Sequence, residues 1–292
     1  MIVVSACAGL ANQMFQYAFY LSLKERYPQA LWDQSNYIPN HKATCETVRI
    51  QEVFPNVKPD LMPEGHFRMA YWKRRWTVLK RLSGPLTGQW YLLQRDFMYH
   101  QDEFDRVRGN CIYVGTWQNE KYFKGISDIV RKAYAFPPFR SERNIQLAEA
   151  MSKQNSVAIH VRKAPDYTKE LLFQGTCPDD YYARALDYVR GHVDSPVFYV
   201  FADNPEWVKE HFSGFEYTLV DWNPIRGQEN YLDMQLMSCA KYNIISNSTY
   251  SWWGAWLNPN PGKFVIAPAV WFNPEMPFYN PNEVVPEGWI KL

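Results

Sequence analysis

Three stretches of the 292-residue chain end apolar runs in side chains able to bind an anion or move a proton. Ser156-Val-Ala-Ile-His-Val161 carries His160 and is followed by Arg162, Lys163, Asp166 and Tyr167, with Glu170 three residues further on. Val197-Phe-Tyr-Val-Phe-Ala202 is followed by Asp203 and Asn204, and Tyr242-Asn-Ile-Ile-Ser246 by Asn247, Ser248, Thr249 and Ser251. The first run of the chain, Ile2 to Cys7, leads to Gly9, Asn12 and Gln13. A guanidinium, an ammonium, several hydroxyls and a helix N-terminus converging on one crevice suit a diphosphate, through forked hydrogen bonds and backbone N–H groups. Each residue also has a plainer reading. Arg162 and Lys163 fit a solvated strand end, and His160, between apolar Ile159 and Val161, fits a hydrogen-bonded structural histidine. Ser248, Thr249 and Ser251 fit N-caps of a helix Trp252–Leu257, and Asp203 fits a cap for the helix opening at Pro205.

What the chain lacks narrows the chemistry. It has no D-x-D and no clustered His or Cys ligand spacing, so no metal site is expected and a diphosphate would be neutralised by Arg and Lys. The P-loop, G-x-G-x-x-G and G-x-S-x-G patterns are absent as well, which removes the P-loop, dinucleotide and hydrolase-elbow readings. Lys and Arg number 31 against 30 Asp and Glu, and a net charge of +1 argues against a nucleic-acid partner. Aromatic residues make up 17% of the chain, a content that suits thick cores and flat polar ligands such as sugars.

The elements that must position these residues follow from the same runs. Short apolar runs alternate with helical spacing over Asp179–Val189, Pro205–Phe212 and Asn230–Cys239, which predicts an open parallel α/β sheet with ligands beyond the carboxyl ends of its strands. Pro39, Pro55, Pro59, Pro63 and Pro85 interrupt the first half, which is expected to be less regular. A boundary near Pro137-Pro138 gives domains 1–140 and 141–292, with Ser141 capping a helix through Met151. The last 25 or so residues, rich in Pro and Asn, are expected to be irregular surface chain. Cys7, Cys45, Cys111, Cys177 and Cys239 are widely spaced and read as reduced. The N-terminus shows no basic leader and no apolar run of membrane-spanning length, so the expected location is the cytoplasm. Arg68, Lys73, Arg74, Arg75, Lys80 and Arg81 interleave with apolar residues at helical spacing. That stretch is either a solvated helix face or a contact with the inner face of the membrane.

Five ordered motifs carry a family likeness: Gly-Leu-Ala-Asn-Gln-Met-Phe-Gln-Tyr-Ala (9–18), Gly-Thr-Trp-Gln-Asn-Glu-Lys-Tyr-Phe (115–123), His-Val-Arg-Lys (160–163), Phe-Ala-Asp-Asn (201–204) and Asn-Ser-Thr-Tyr-Ser-Trp-Trp-Gly-Ala-Trp-Leu (247–257). The chain resembles the bacterial α-1,2-fucosyltransferases of glycosyltransferase family 11. The resemblance implies an α/β, GT-B-like fold of two facing Rossmann-like domains with a cleft between them. It further implies inverting transfer of L-fucose from GDP-β-L-fucose to the 2-hydroxyl of a terminal galactose in a glycan, with no cofactor. Carried over residue by residue, Arg162 matches the family's β-phosphate contact with His160 as its partner, and Asp203 the acid near the guanosine. Ser248 and Thr249 match the phosphate-side hydroxyls, with Lys163, Asn247 and Ser251 on the same donor side. Gly9, Asn12 and Gln13 would face the cleft from the first domain. Asp166 and Glu170 are the carboxylates nearest in sequence to serve as the base.

The sequence departs from the family where the chemistry is densest. The usual His-x-Arg-Arg-Gly-Asp-Tyr becomes His160-Val-Arg-Lys-Ala-Pro-Asp-Tyr167, so one residue is added, an Arg becomes Lys, and a glycine free to take positive φ gives way to Ala164-Pro165. Two competing readings follow: a non-catalytic sugar- or nucleotide-binding relative, and a transferase with another donor or linkage. Ala8 and Ala11 likewise stand where glycines are common in the family's N-terminal motif.

Overall fold

The computed structural model describes residues 1–35, 48–63, 88–164, 168–174, 176–276 and 283–292. Arg68–Arg81, Cys45, Asp166 and the Pro165–Tyr167 part of the turn lie outside the described residues. The chain divides into two compact units, Met1–Ala135 and Phe136–Leu292.

In the first unit, β1 (Ile2–Ser5) runs into α1 (Leu10–Arg26), and β2 (Leu31–Asp33), α2 (Ile50–Val53), β3 (Gln89–Leu93), β4 (Asn110–Val114) and α3 (Ser127–Ala133) follow. The strands form a parallel sheet in the order β2-β1-β4-β3, a more regular arrangement than the scattered prolines predict. Helix α1 buries eleven of its seventeen residues. Phe19 stacks on Trp117 at 4.2 Å and on Phe104 at 5.0 Å, while the Tyr17 and Tyr20 hydroxyls accept the amides of Lys58 and Asp60. These aromatic rings thus act as core with polar tips that pin loops.

The second unit carries α4 (Glu142–Lys153), β5 (Ser156–Val161), α5 (Asp179–His192), β6 (Val197–Ala202), α6 (Pro205–His211), β7 (Tyr217–Val220), α7 (Leu232–Ser238), β8 (Tyr242–Ile244), α8 (Thr249–Leu257), β9 (Val265–Ala267) and β10 (Ile290–Lys291). Its parallel sheet has the order β10-β9-β8-β5-β6-β7. All six residues of β5 are buried, as expected of a central strand covered on both faces. Val157, Ile159, Val161, Val200, Ile244 and Ile266 of the sheet share one core with Tyr181, Ala185 and Val189 of α5. The Tyr181 hydroxyl donates to the carbonyls of Ile245 (2.6 Å) and Ile266 (3.1 Å), locking α5 to the ends of β8 and β9. Beyond β9 the described residues are irregular, as expected, except for the two-residue β10, and the Val284 carbonyl accepts the indole N–H of Trp252 at 2.9 Å.

The turn joining β1 to α1 bears on the first unit's strand ends. Ala8 sits at φ +66°, a left-handed conformation that disfavours any side chain and explains why glycine suits this position. Left-handed backbone costs a non-glycine residue about 1–2 kcal/mol, and glycine's greater unfolded-state freedom offsets about 0.4–1 kcal/mol of that. Ala8→Gly is therefore expected to raise stability by up to about 1.6 kcal/mol, a few degrees in melting temperature. Thermal melting checks it, and a lowered midpoint would contradict the strain.

Candidate active site

In the second sheet the chain steps from β5 to β6 to β7 on one side, then returns to place β8, β9 and β10 on the other. The direction of winding reverses between β5 and β8, and the loops leaving their carboxyl ends diverge there to open a crevice. His160 spans this junction, its Nδ1 lying 2.8 Å from Ser246 Oγ. Burial, reinforced by the Arg162 guanidinium, pushes the imidazole down to about 3, so His160 is neutral near pH 7. Its Nε2 has no partner among the described residues. His160 therefore acts as a neutral hydrogen-bonding group and not as a proton shuttle.

Arg162 leaves the same strand end, with its side chain 30% exposed, and pairs with Asp203 beyond β6. Asp203 also accepts the amides of Lys163 (Oδ1, 2.8 Å) and Ala164 (Oδ2, 3.2 Å). It does not cap α6, because Asn204 takes that role by accepting from Trp207 N–H at 3.3 Å. Lys163 turns aside: its Nζ donates to the Cys177 carbonyl at 3.0 Å and lies 5.0 Å from the centroid of the Trp207 ring. Its charge thereby packs against the first turn of α6. Glu170 is exposed at the head of the short 3-10 turn Leu171–Phe173.

Across the junction, α8 begins three residues earlier than its apolar pattern predicts. Its first intrahelical bond runs from Trp252 N–H to the Ser248 carbonyl at 3.0 Å, so the amides before it have no intrahelical partner. Ser248 stands at the N-cap without making the cap bond, and neither its hydroxyl nor that of Thr249 has a partner among the described residues. Asn247 and Ser251, expected at the donor, are buried structural residues instead. Asn247 Nδ2 donates to Thr176 Oγ1 (2.6 Å) and the Trp271 carbonyl (3.0 Å), and Ser251 Oγ to the Ser248 carbonyl (3.2 Å). The tryptophans and glycine of this motif anchor the helix. Trp252, Trp253 and Trp256 are buried, and a Cβ on Gly254 would meet Met237 of α7 at 3.1 Å. The Tyr250 hydroxyl accepts Met234 N–H at 2.9 Å and donates to the Asn230 carbonyl.

The first unit has its own winding reversal between β1 and β4, and glutamines tie the loops there. Gln16 accepts the Cys7 amide (3.0 Å) and donates to the Gly115 carbonyl (2.8 Å). Gln94, which the sequence analysis missed because β3 went unrecognised, accepts the amides of Thr116 (2.7 Å) and Trp117 (3.1 Å) and holds Trp117 at φ +44°. Gln13 is 1% exposed; its amide donates to the carbonyls of Ala8 and Val48 and accepts Ile50 N–H. That corrects its expected place facing a ligand, since its hydrogen-bonding capacity goes to pinning α1 to residues 48–50. Asn12 remains partly open, with Oδ1 accepting from Gln118 Nε2 at 2.9 Å; Asn12 Nδ2 and Gln118 Oε1 have no partner among the described residues. Nothing lies within 4 Å of a Cβ built on Gly9. Among the described residues there is no group of three or more His, Cys, Asp or Glu able to hold a metal ion, Cys111 and Cys239 are free thiols, and no helix is long and apolar enough to cross a membrane.

Solved structures match this architecture at low identity. A mutant of Arabidopsis thaliana FUT1 in complex with GDP is 14% identical with a TM-score of 0.51, covering 91% of this chain and 70% of its own. The NodZ α-1,6-fucosyltransferase soaked with GDP-fucose is 14% identical with a TM-score of 0.50, covering 88% and 92%. The two parallel α/β units are those of a glycosyltransferase of the GT-B fold class. A profile described as Glycosyl transferase family 11 matches residues 88–292. An Escherichia coli α-1,2-colitosyltransferase is 30% identical over all of this chain and 98% of its own length, and the E. coli O-antigen biosynthesis glycosyltransferase WbnK is 36% identical over 97% and 98%. The chain belongs to glycosyltransferase family 11.

One buried carboxyl near the site titrates unusually. Burial raises Asp233, in the first turn of α7, to about 7, although it accepts Asn223 Nδ2 at 2.8 Å. Its folded value lies above the ordinary ~3.9 of an aspartate, so its contribution to stability is full below that value and is lost as pH rises through about 7. His160 works the other way: its contribution is present above the ordinary ~6.5 of a histidine and is lost as pH falls toward about 3. Asp233→Asn is expected to raise the melting temperature at pH 8 by a few degrees and by clearly less at pH 5, inside the window where the loss has only begun. Equal shifts at both pH values would contradict the buried titration.

Proposed function

We propose that this protein is an inverting α-1,2-fucosyltransferase that moves L-fucose from GDP-β-L-fucose to the 2-hydroxyl of a terminal galactose in a glycan. The observation that carries the reading is the β5/β8 junction. There the Arg162 guanidinium, the His160 Nε2 and the Ser248 and Thr249 hydroxyls, the last three without a partner among the described residues, lie with the N-terminus of α8 at adjoining strand ends. Breaking the anomeric C–O bond leaves positive charge on the sugar and added negative charge on GDP. Donors already fixed at the diphosphate stabilise that separation more than they stabilise the bound substrate. The acceptor hydroxyl then attacks from the opposite face, which turns a β-linked donor into an α-linked product in one displacement, and a base takes its proton. Asp166 and Glu170 remain the candidates for that base. In the first unit, Asn12 with Gln118 offers a neutral donor and acceptor suited to sugar hydroxyls.

A second reading is favoured by the full-length likeness to an α-1,2-colitosyltransferase. Colitose is L-fucose without its 3-hydroxyl, so the diphosphate chemistry is unchanged and only the donor sugar pocket differs. Transfer assays with GDP-fucose and GDP-colitose against a galactoside panel separate the two: faster turnover of GDP-fucose supports the first reading, and preference for GDP-colitose replaces it. Transfer from neither donor in a folded protein overturns both.

Arg162→Ala is expected to lower kcat/KM by ~10²–10³, with little change in melting temperature because Asp203 keeps the Lys163 and Ala164 amides. Steady-state kinetics and thermal melting check this, and a loss below tenfold would move phosphate neutralisation elsewhere. Because Arg162 and the helix amides here serve in place of a metal, EDTA is expected to leave the rate unchanged. Inhibition by EDTA that Mn²⁺ reverses would contradict it.

A further inference from the structure

We infer that Gln118 and Asn12 form a subsite that reads a single sugar hydroxyl, with Gln118 Oε1 taking the hydroxyl proton and Asn12 Nδ2 donating to the hydroxyl oxygen. This rests on the sugar-transfer reading above and makes Gln118 a residue that decides which sugar is accepted. Two primary amides can satisfy each other by exchanging two hydrogen bonds. These two make only one: Gln118 Nε2 donates to Asn12 Oδ1 at 2.9 Å, and the reciprocal bond is not formed. One N–H donor and one carbonyl acceptor are thereby left without a partner among the described residues, on side chains already oriented by their bond to each other. Gln118 is 8% exposed, yet neither its Oε1 nor Asn12 Nδ2 is among the side-chain atoms that lack both a partner and solvent. Exchanging O and N in both amides reverses the connecting bond and again leaves one donor and one acceptor. A hydroxyl needs that combination, because it gives one proton and accepts at its oxygen. A phosphate oxygen has no proton to give and would meet the carbonyl as a repulsive neighbour.

The backbone around Gln118 is held in place at a cost. Trp117 takes φ +44°, and its indole N–H is buried without a partner among the described residues. Left-handed backbone at a bulky residue and an unpaired buried donor both oppose folding, and they persist where other bonds over-determine the chain. Gln94 supplies such bonds: its Oε1 accepts the Thr116 and Trp117 amides, and its Nε2 donates to the Asp96 carbonyl at 2.6 Å. Gln16 of α1 holds the Gly115 carbonyl, and Asn119 N–H donates to the Trp117 carbonyl at 2.7 Å. Gln118 thus stands beyond the carboxyl end of β4, and Asn12 in the first turn of the helix that follows β1, the two strands between which the first sheet reverses its winding. The N-cap Gly9 beside Asn12 has nothing within 4 Å of a Cβ position, so there is room for a ring.

Transfer kinetics with substrates lacking one hydroxyl at a time test this on wild type, Gln118→Met and Asn12→Asp, with thermal melting confirming folding. Methionine keeps the length of glutamine without its amide. Aspartate can still accept from Gln118 Nε2, so the bond between the side chains survives while the outward donor is lost. Wild type is expected to lose ~tenfold or more in kcat/KM on one monodeoxy galactoside or one monodeoxy GDP-fucose. Both variants are expected to lose ~tenfold on the complete substrates and to discriminate less than about threefold at that position. The galactoside and nucleotide-sugar series identify which sugar carries the hydroxyl. A wild type with no such position, or variants that discriminate as wild type does, would overturn the inference. So would loss of discrimination in Gln118→Met alone, the pattern of a bond that serves only structure. Should Gln118→Met not fold, Gln118→Glu, nearly identical in shape, leaves two acceptors facing the hydroxyl and is held to the same expectations. A wild type that transfers from no nucleotide sugar would overturn the transfer reading itself, and NMR then decides the subsite. Methyl β-galactoside or L-fucose is expected to shift the side-chain N–H₂ resonances of Asn12 and Gln118, identified by their loss in the variants. No shift with either sugar would overturn the inference.

Discussion

A leaving diphosphate gains charge faster than a mobile side chain can follow, so its donors must be fixed before the bond breaks. In this chain side chains are fixed in that manner where the second sheet reverses its winding, the place at which the proposed reading puts the diphosphate. His160 is held to Ser246 across the junction, Arg162 to Asp203 along it, and the first turn of α8 is set by Tyr250 and by buried tryptophans behind it. A neutral histidine suits such a place better than a charged one. Its burial keeps the proton off, so it offers a hydrogen bond without adding a buried charge that would itself need compensation.

The first unit solves a related problem with uncharged groups. Glutamines at 13, 16 and 94 bind backbone atoms of the loops leaving β1 and β4, and two non-glycine residues in those loops, Ala8 and Trp117, carry positive φ. Strain of this kind persists only where surrounding bonds over-determine the backbone. The close packing is visible at Gly115, where a Cβ would lie 2.5 Å from Gln94 Cβ. The result is a set of strand-end loops bearing neutral amides, among which Asn12 Nδ2 and Gln118 Oε1 have no partner among the described residues.

The second sheet was legible because its central strands are long apolar runs that end abruptly in polar residues: Ser156–Val161 and Val197–Ala202 have the ends their composition predicts. The strands missed were short or began with polar residues. Leu31–Asp33 has three residues, and Gln89–Leu93 and Asn110–Val114 open on an amide, so parallel pairing and not local pattern makes them strands. The site shows the same division. Strand-end position singled out His160, Arg162, Ser248 and Thr249, which the fold brings to adjoining strand ends, because ending a strand is a local property. It could not distinguish Gln13, Asn247 or Lys163, whose partners lie 35, 71 and 14 residues away along the chain. Asp203 was found by position, while its bonds to three successive residues beyond β5 became visible only in the fold.

The account stands on the diphosphate being received at the β5/β8 junction, and a crystal structure of the protein with GDP tests that most directly. It predicts the β-phosphate within hydrogen-bonding distance of the Arg162 guanidinium and of the Ser248 or Thr249 hydroxyl, with α8 pointing its first turn at the phosphate. A β-phosphate bound beyond the reach of Arg162, or held by other elements of the chain, would contradict it.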